Sequence, residues 1–475
     1  MAGMLFPNQV NHRKALLEEN DMNQRSTERL PDIGKKSLGY PLIYWFTYLY
    51  FNLFYTRFTV TGRENIPDGK PVIFAGNHQN ALMDALSILF ARRGKVAFLA
   101  RADLFKKKYI AWILYGFRIL PIYRIRDGIS SMGQNDAVFH AAADLLKEGT
   151  PLALFPEGNH AGFKRLRPLK KGICRIAFMA EESSNFELDL HIVPAGIDYS
   201  DYSKPGSRLL VRYGKPIAVK EFIPLYKENP QKAIAALKDR LSESMEPLII
   251  NIASEDNYEK YISICNLYRD RVMKKRKPRH LAREKADRKI IASLNEKAAD
   301  NPNLFEKYWE QYQKYSSRLD KFGIRDWLIR NKKTGIGRFL ADILFSLIVM
   351  PIFLYGLLIN YLPYKLPTRF TRNVKDTVFH TSIHFGIGLV LFPVYFLILQ
   401  LIFSIFVKSL IARLIFAVSM PVSGILTFYF YKHLLKLRGR FRLLMLKYRN
   451  RREYDSLINS RREIIQTIET IIQVA

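Results

Sequence analysis

Pro71-Val72-Ile73-Phe74-Ala75-Gly76-Asn77-His78-Gln79-Asn80-Ala81-Leu82-Met83-Asp84 carries a strand, a junction and the start of a helix in one short stretch of a 475-residue chain. Pro71 to Gly76 is a brief apolar run closed by glycine, which reads as a buried strand. From Ala81 to Ala91 the apolar positions recur with helical spacing. Asn77 to Asn80 therefore occupy a strand-to-helix junction, where side chains and helix N-terminal N–H groups face a ligand. A His at such a place takes up a proton near neutral pH, because its unperturbed pKa is about 6.5. A carboxylate on its far ring nitrogen would fix the tautomer and stabilise the imidazolium. Six residues of helix turn through about 600°, so His78 and Asp84 cannot share a helix face. They meet only if His78 precedes the helix and Asp84 lies in its first turns. The chain has nine histidines, so this spacing alone is weak evidence.

Outward from this stretch, similar apolar runs occur at Val96 to Leu99, Pro151 to Phe155, His191 to Ile197 and Leu209 to Val211. They alternate with helical patterns such as Ala137 to Lys147, and Thr59 to Pro67 reads as a strand and turn. The alternation predicts an α/β domain over residues 59–250, a largely parallel or mixed sheet flanked by helices. Ahead of it, residues 1–36 are a polar arm without the apolar core of a secretory signal. Residues 37–58 differ abruptly, with ten aromatics among the nineteen positions from Tyr40 to Phe58. Amphipathic rings suit the headgroup layer, and the stretch is short for a span, so it reads as an interfacial helix; an aromatic-rich core helix is the alternative.

Residues 251–337 form a charged helical connector that includes the run Lys274-Lys275-Arg276-Lys277. Residues 338–432 set the cellular location. Phe339 to Leu362 is apolar apart from Asp342, Ser346 and Asn360, Ile387 to Val407 has no charge, and Ser409 to Tyr431 has only Arg413. Each approaches the roughly 20 residues needed to cross a bilayer, which makes this an integral membrane protein. Residues 433–475 are a basic helical tail, with eleven Lys+Arg and four acids after Tyr431. Three full spans would separate that tail from the basic N-terminal half, against the positive-inside tendency. Two spans with a hairpin near Lys408 satisfy it, leaving Phe339 to Leu362 re-entrant or interfacial. Leu457 to Ile472 has isoleucines at helical spacing, as an amphipathic end helix or a partner-binding one.

The composition agrees with a membrane setting. Lys+Arg number 74 against 43 Asp+Glu, a net of +31, which points to a polyanionic partner. The apolar segments select membrane lipid over nucleic acid. Two cysteines, Cys174 and Cys265, cannot build a disulfide framework, and Cys174 reads as a small core residue. His140 and Asp144 read as a surface helical pair. His380 and His384 have the spacing of two metal ligands but no evident acidic third, and read as membrane-edge histidines.

Three further segments follow in order: Gly116-Phe117-Arg118-Ile119-Leu120-Pro121-Ile122-Tyr123-Arg124, Phe155-Pro156-Glu157-Gly158-Asn159-His160, and Val193-Pro194-Ala195-Gly196-Ile197. With the His78 segment, their order and separation resemble the glycerolipid acyltransferase family (PlsC-like; glycerol-3-phosphate and lysophosphatidate acyltransferases) over roughly Val60 to Pro224. The resemblance implies that His78 and Asp84 are the catalytic dyad and that blocks two and three bind the acceptor phosphate, through Arg124, Glu157 and Gly158. It implies that block four is an apolar strand, and it implies no metal and no cofactor. Two departures stand out. Five residues rather than four separate His78 from Asp84, which resembles the subgroup that acylates glycerol-3-phosphate or dihydroxyacetone phosphate. Asn159-His160 replaces the usual Thr-Arg, so Lys164, Arg165, Arg167, Lys170 and Lys171 are the candidates to supply the missing charge; an ordinary solvated basic loop is the alternative.

The mechanism expected from these residues is direct acyl transfer. The acceptor phosphate docks on Arg124 and on part of the cluster containing Lys164, Arg167 and Lys171. His78, oriented by Asp84, removes the proton of the sn-1 hydroxyl as it attacks the acyl thioester, and Glu157 anchors the acceptor or the loop. Backbone N–H groups at the start of the Asn80–Ala91 helix are the expected oxyanion donors. The co-substrate is an acyl-ACP or acyl-CoA thioester, the acceptor a small polyol phosphate, and the catalytic domain is expected on the cytoplasmic face. Acylation of the sn-2 hydroxyl of lysophosphatidate is the close alternative. A basic membrane protein that binds lipid without catalysis is the non-enzymatic one.

Overall fold

The computed structural model describes residues 40–123, 134–273, 279–297, 302–330 and 335–473. The polar arm at 1–36, Arg124 and the basic run at 274–277 lie outside them. The chain divides into two compact units. The first holds residues up to 161 with 167–200 and 208–248; the second holds 249–475 together with 162–166 and 201–207.

The first unit is an eight-stranded mixed sheet with helices. In chain order its elements are α1 (Tyr40–Phe54), β1 (Arg57–Thr61), β2 (Val72–Gly76), α2 (Ala81–Arg92), β3 (Ala97–Arg101), α3 (Lys108–Gly116) and β4 (Ile119–Ile122). There follow α4 (Gln134–Lys147), β5 (Leu152–Leu154), α5 (Gly172–Glu182), β6 (His191–Tyr199), β7 (Arg208–Tyr213), β8 (Ile217–Ala218), α6 (Ile223–Glu228) and α7 (Pro230–Met245). The strand order is β1-β7-β6-β2-β5-β3-β4, with β8 also on β6. Pairing is parallel except where β6 meets β7 and β8. The apolar runs form the middle of the sheet because a parallel strand is covered on both faces: every residue of β2 is buried.

Register then places the four blocks. Ala75 pairs with Leu154 on one side and Pro194 on the other. The carboxyl ends of β2 and β5 therefore release Asn77 and Phe155 along one sheet edge, beside Ile197 of the longer β6, the carboxyl edge at which α/β folds bind ligands. Asn77 ties two of these ends together. Its side chain donates to the Ile197 carbonyl at 3.1 Å and accepts from the Ile197 N–H at 2.7 Å, continuing the ladder past the last backbone pair. Block two ends as strand β4, and the Asn135 side chain bonds the Tyr123 N–H and C=O, both at 2.9 Å.

The aromatic segment is helix α1, which is neither wholly core nor wholly surface. Phe51 is buried against Phe90 and Phe58, whereas Leu42 (76% exposed) and Trp45 (63%) stand out in solvent. An exposed apolar row beside aromatic rings suits a lipid headgroup layer.

The second unit is helical: α8 (Tyr258–Val272), α9 (Arg279–Lys297), α10 (Pro302–Phe322), α11 (Asp326–Arg330), α12 (Ile336–Lys365), α13 (Pro367–Thr371), α14 (Val378–Phe406), α15 (Leu410–Arg449) and α16 (Arg451–Gln473). Three helical stretches, at 336–371, 378–406 and 410–449, are long and apolar enough to cross a membrane. Phe339 to Leu362 lies within one continuous helix, α12, that runs antiparallel to α15: Asp342 pairs with Arg440 near one end, and Asn360 bonds the Met420 carbonyl at 3.3 Å near the other. The entry to α12 and the basic end of α15 thus share one end of this helix pair, which meets the charge asymmetry without breaking the segment.

The polar residues inside the apolar segments are packing devices. Asn360 also bonds the Gly356 carbonyl at 2.9 Å and Ser423 at 3.3 Å, while a Cβ on Gly356 would meet Thr427 Oγ1 at 2.2 Å. Small residues and buried amides hold helices together where lipid supplies no hydrophobic drive. Arg413 donates to the Val407 and Ser404 carbonyls at 2.7 and 2.9 Å, capping α14 at the hairpin expected near Lys408. Helix α15 runs on past Tyr431 unbroken, so apolar span and basic tail are one element. The isoleucines of α16 have an internal destination: Leu457, Ile464, Ile465, Ile468 and Ile471 share a core with α8, α9 and α10.

Gly196 of block four admits the chain at Leu248, since a Cβ there would stand 2.4 Å from the Leu248 carbonyl oxygen. Gly196→Ala is expected to destabilise the first unit by about 1–3 kcal/mol through forced backbone displacement. Thermal unfolding of the purified variant checks this; an unchanged midpoint would contradict the packing.

Candidate active site

The junction after β2 folds around one carboxylate. Helix α2 begins at Ala81, held at φ 38°, an unfavourable region for a residue with a Cβ. Asp84, in the first turn, reaches back so that Oδ2 accepts the backbone N–H groups of Gln79 at 2.7 Å and Asn80 at 2.6 Å. Like the acidic partner of a capping box, it satisfies orphan donors at a helix start, where negative charge is also favoured. The same oxygen lies 2.8 Å from His78 Nδ1. Tyr199, the last residue of β6, donates its hydroxyl to Asp84 Oδ1 at 2.7 Å. Asp84 is fully buried, and the His78 side chain keeps 17% exposure.

This arrangement fixes the imidazole. A carboxylate only accepts, so the neutral ring carries its proton on Nδ1 and leaves the Nε2 lone pair directed elsewhere. The ring stacks on Phe155 at 4.3 Å, and His160 stands edge-on at 5.5 Å. Burial holds the Tyr199 hydroxyl well above its ordinary pKa, and the Asp84 charge adds to the effect, so Tyr199 stays a donor.

Glu157, at the turn after β5, accepts the His78 backbone N–H at 3.3 Å through Oε1 and pairs with Arg167 at 2.6 Å through Oε2. Burial pushes its carboxyl above the ordinary range, and the Arg167 guanidinium pulls the other way. Arg167 also donates to the Asn159 carbonyl. Gly158 closes the turn at φ 75°, its N–H on the Phe155 carbonyl at 3.0 Å. The loop is fixed again where the Ala161 N–H meets the His78 carbonyl at 3.1 Å.

The structure therefore gathers His78, Asp84, Glu157, Gly158 and Arg167 at the carboxyl edge of the sheet. The rest of the expected basic cluster is divided. Lys171 is exposed just ahead of α5. Lys164 and Arg165 fold with the second unit, where the Lys164 carbonyl accepts from Ile252 at 2.8 Å and Arg165 pairs with Glu255. Arg124 lies outside the described residues. Of the expected oxyanion donors at the helix start, the Asn80 N–H is engaged by Asp84 and that of Met83 by the Asn80 carbonyl, so the expectation narrows to Ala81 and Leu82.

Sequence reasoning gave no role to Tyr199, Asn77 or Phe155. Asn77 and Phe155 lie within blocks one and three, but their contacts depend on strand register. Tyr199 is 115 residues from Asp84, and no local pattern joins them. The bland readings elsewhere have concrete partners. His140 and Asp144 are exposed on α4 as expected of a surface pair, but Asp144 pairs with Lys147 at 2.9 Å, and His380 Nε2 lies 2.8 Å from the Val374 carbonyl. Burial pushes the Cys174 thiol up to about 12, which suits an inert core residue.

Residues 57–198 match the family model described as Acyltransferase. Over 201 residues the chain is 25% identical to glycerol-3-phosphate O-acyltransferase 2 of Saccharomyces cerevisiae, covering 42% of this chain and 26% of that protein. Over 204 residues it is 28% identical to a 1-acyl-sn-glycerol-3-phosphate acyltransferase of Chlamydomonas reinhardtii, covering 42% of this chain and 56% of that one. The chain thus spans about a quarter and about half the length of these two relatives. The crystal structure of the 1-acyl-sn-glycerophosphate acyltransferase PlsC from Thermotoga maritima is 23% identical, covers 43% of this chain and 78% of its own, and aligns with a TM-score of 0.31.

Because its pKa is raised, Glu157 holds its proton in the folded protein at a pH where the unfolded chain has released it. Its contribution to stability is therefore present below the usual carboxylate pKa and is lost as pH rises through the folded value. The stability of the wild type relative to Glu157→Gln is expected to fall as pH is raised across the mildly acidic range. Parallel unfolding midpoints of both proteins check this, and a difference that grows with pH would contradict it.

Proposed function

We propose, from a chain whose residues 57–198 form a domain of the acyltransferase family, that the protein moves a fatty acyl group from a thioester to the sn-1 hydroxyl of glycerol-3-phosphate. Dihydroxyacetone phosphate is a second acceptor of the same kind. The observation that carries the reading is His78 Nδ1 at 2.8 Å from a fully buried Asp84, at the edge of the sheet where the family match lies. His78 Nε2 takes the hydroxyl proton as the acceptor oxygen attacks the thioester carbon. The C–S bond then breaks, and the leaving thiolate takes the proton from the imidazolium. General-base action of this kind contributes about 10²–10⁴-fold.

The remaining roles follow from position and charge. Ala81 and Leu82 have the first-turn N–H groups left to face the oxyanion. Arg124, Arg167 and Lys171 supply cations for the acceptor phosphate, and Arg167 is held in place by Glu157. Acyl-CoA and acyl-ACP are both anionic donors suited to a chain of net charge +31. The basic end of α15, aligned with the entry to α12, favours a catalytic unit on the cytoplasmic side.

Acylation of the sn-2 hydroxyl of lysophosphatidate is the second reading, supported by the named activity of the algal relative. The five-residue gap between His78 and Asp84 favours the first. Reconstituted protein offered glycerol-3-phosphate, dihydroxyacetone phosphate and lysophosphatidate, each with acyl-CoA or acyl-ACP, is expected to make lysophosphatidate from glycerol-3-phosphate. His78→Ala should lose about 10²-fold or more of that rate while remaining in the membrane fraction. Product from the monoacylated acceptor alone would overturn the sn-1 reading, and full activity of His78→Ala would overturn the dyad.

A further inference from the structure

Asp84 has more to do than face a histidine. It is fully buried, and a buried carboxylate is tolerated only when its oxygens are met by donors. Oδ2 is met by His78 Nδ1 and by the Gln79 and Asn80 N–H groups at 2.8, 2.7 and 2.6 Å, all from the junction that Asp84 itself organises. Oδ1 is met from across the sheet by the Tyr199 hydroxyl at 2.7 Å. That one bond fixes the remaining rotation of the carboxyl plane.

Tyr199 is well anchored for the task. It ends β6, the strand already tied to the histidine segment by the two Asn77–Ile197 bonds. The Tyr55 ring packs against its ring at 6.0 Å, and Tyr199 is 1% exposed. It lies one residue beyond the segment matched by the family model, which ends at position 198.

We infer that Tyr199 is a positioning residue for the His78 base: its hydroxyl orients the Asp84 carboxylate and shares its charge, which governs how strongly that carboxylate stabilises the imidazolium. The inference rests on the acyl-transfer reading above. A charge-assisted O–H···O⁻ bond draws negative charge away from the oxygen facing His78. Less of that charge remains to stabilise the imidazolium that forms when His78 takes the proton. The other polar groups near His78 are Glu157 on its backbone N–H, Arg167 on Glu157, and His160 edge-on to its ring. Tyr55 completes the set behind Tyr199. The Tyr55 hydroxyl interacts with that of Tyr199 as well, so the pH effect of removing the Tyr199 hydroxyl is read through Asp84 by comparison with Tyr55→Phe, which keeps the Tyr199–Asp84 bond.

The test is the pH profile of acyl transfer by the full-length protein in vesicles, with glycerol-3-phosphate as the varied acceptor. Tyr199→Phe is expected to lower kcat about tenfold with acceptor KM unchanged. It should also move the acid limb of the kcat/KM profile up by about 0.5–1 pH unit. Should Tyr199→Phe fail to fold, 3-fluorotyrosine at position 199 keeps the shape, donates more strongly and should move the limb the other way. An unmoved limb in the folded variant, or a raised KM with kcat retained, would overturn the positioning role. A wild-type protein without transfer activity, or His78→Ala with full activity, would instead overturn the acyl-transfer reading.

Discussion

A carboxylate with no solvent contact, Asp84, is the point on which the first unit turns. Its negative charge must be met inside the protein, and the donors that meet it come from three places: the histidine ring, the tight turn before α2, and the end of β6. Satisfying Asp84 therefore closes the turn, starts the helix at an unfavourable Ala81 conformation and fixes the tautomer of His78. Stability and chemistry share one set of bonds. The five residues between His78 and Asp84 make room for this, since the first two form the turn and the last three begin the helix.

The sheet provides the frame. Parallel pairing of β2 with β5 and β6 sends the first, third and fourth blocks to one edge, and the Asn77 bridge to Ile197 locks two of them at fixed separation. The helical unit follows different physics. In α12 and α15 the sparse polar and small residues, Asn360, Gly356, Ser423, Asp342 and Arg440, lie between helices, while the leucines and isoleucines face outward. That inversion of the usual interior and surface fits a lipid solvent.

The sequence was informative wherever a local rule applied. Helix geometry required His78 to precede the helix with Asp84 in its first turns, and the ring and carboxylate are so placed. Apolar runs located the central strands because parallel strands are buried on both faces. The hairpin near Lys408 could be read from an uncharged run followed by a single charge. Long-range partners were not legible: the Tyr199–Asp84 bond spans 115 residues and the Asn77–Ile197 pair 120, both set by register alone. The pairing of α12 with α15 was not legible either, because charge was counted along the chain, whereas antiparallel packing brings Asp342 to Arg440. The isoleucine stripe of α16 had two sequence readings, and its site in the helical core depended on tertiary contacts.

The central claim is that Asp84 holds His78 with its proton on Nδ1 and Nε2 free to act as base. ¹⁵N NMR of the reconstituted protein labelled at histidine, with His78→Gln to assign the signal, reads that tautomer directly. The account predicts a neutral His78 ring protonated on Nδ1, shifting toward a tautomer mixture in Asp84→Asn. A His78 ring protonated on Nε2, or one indifferent to Asp84→Asn, would contradict it.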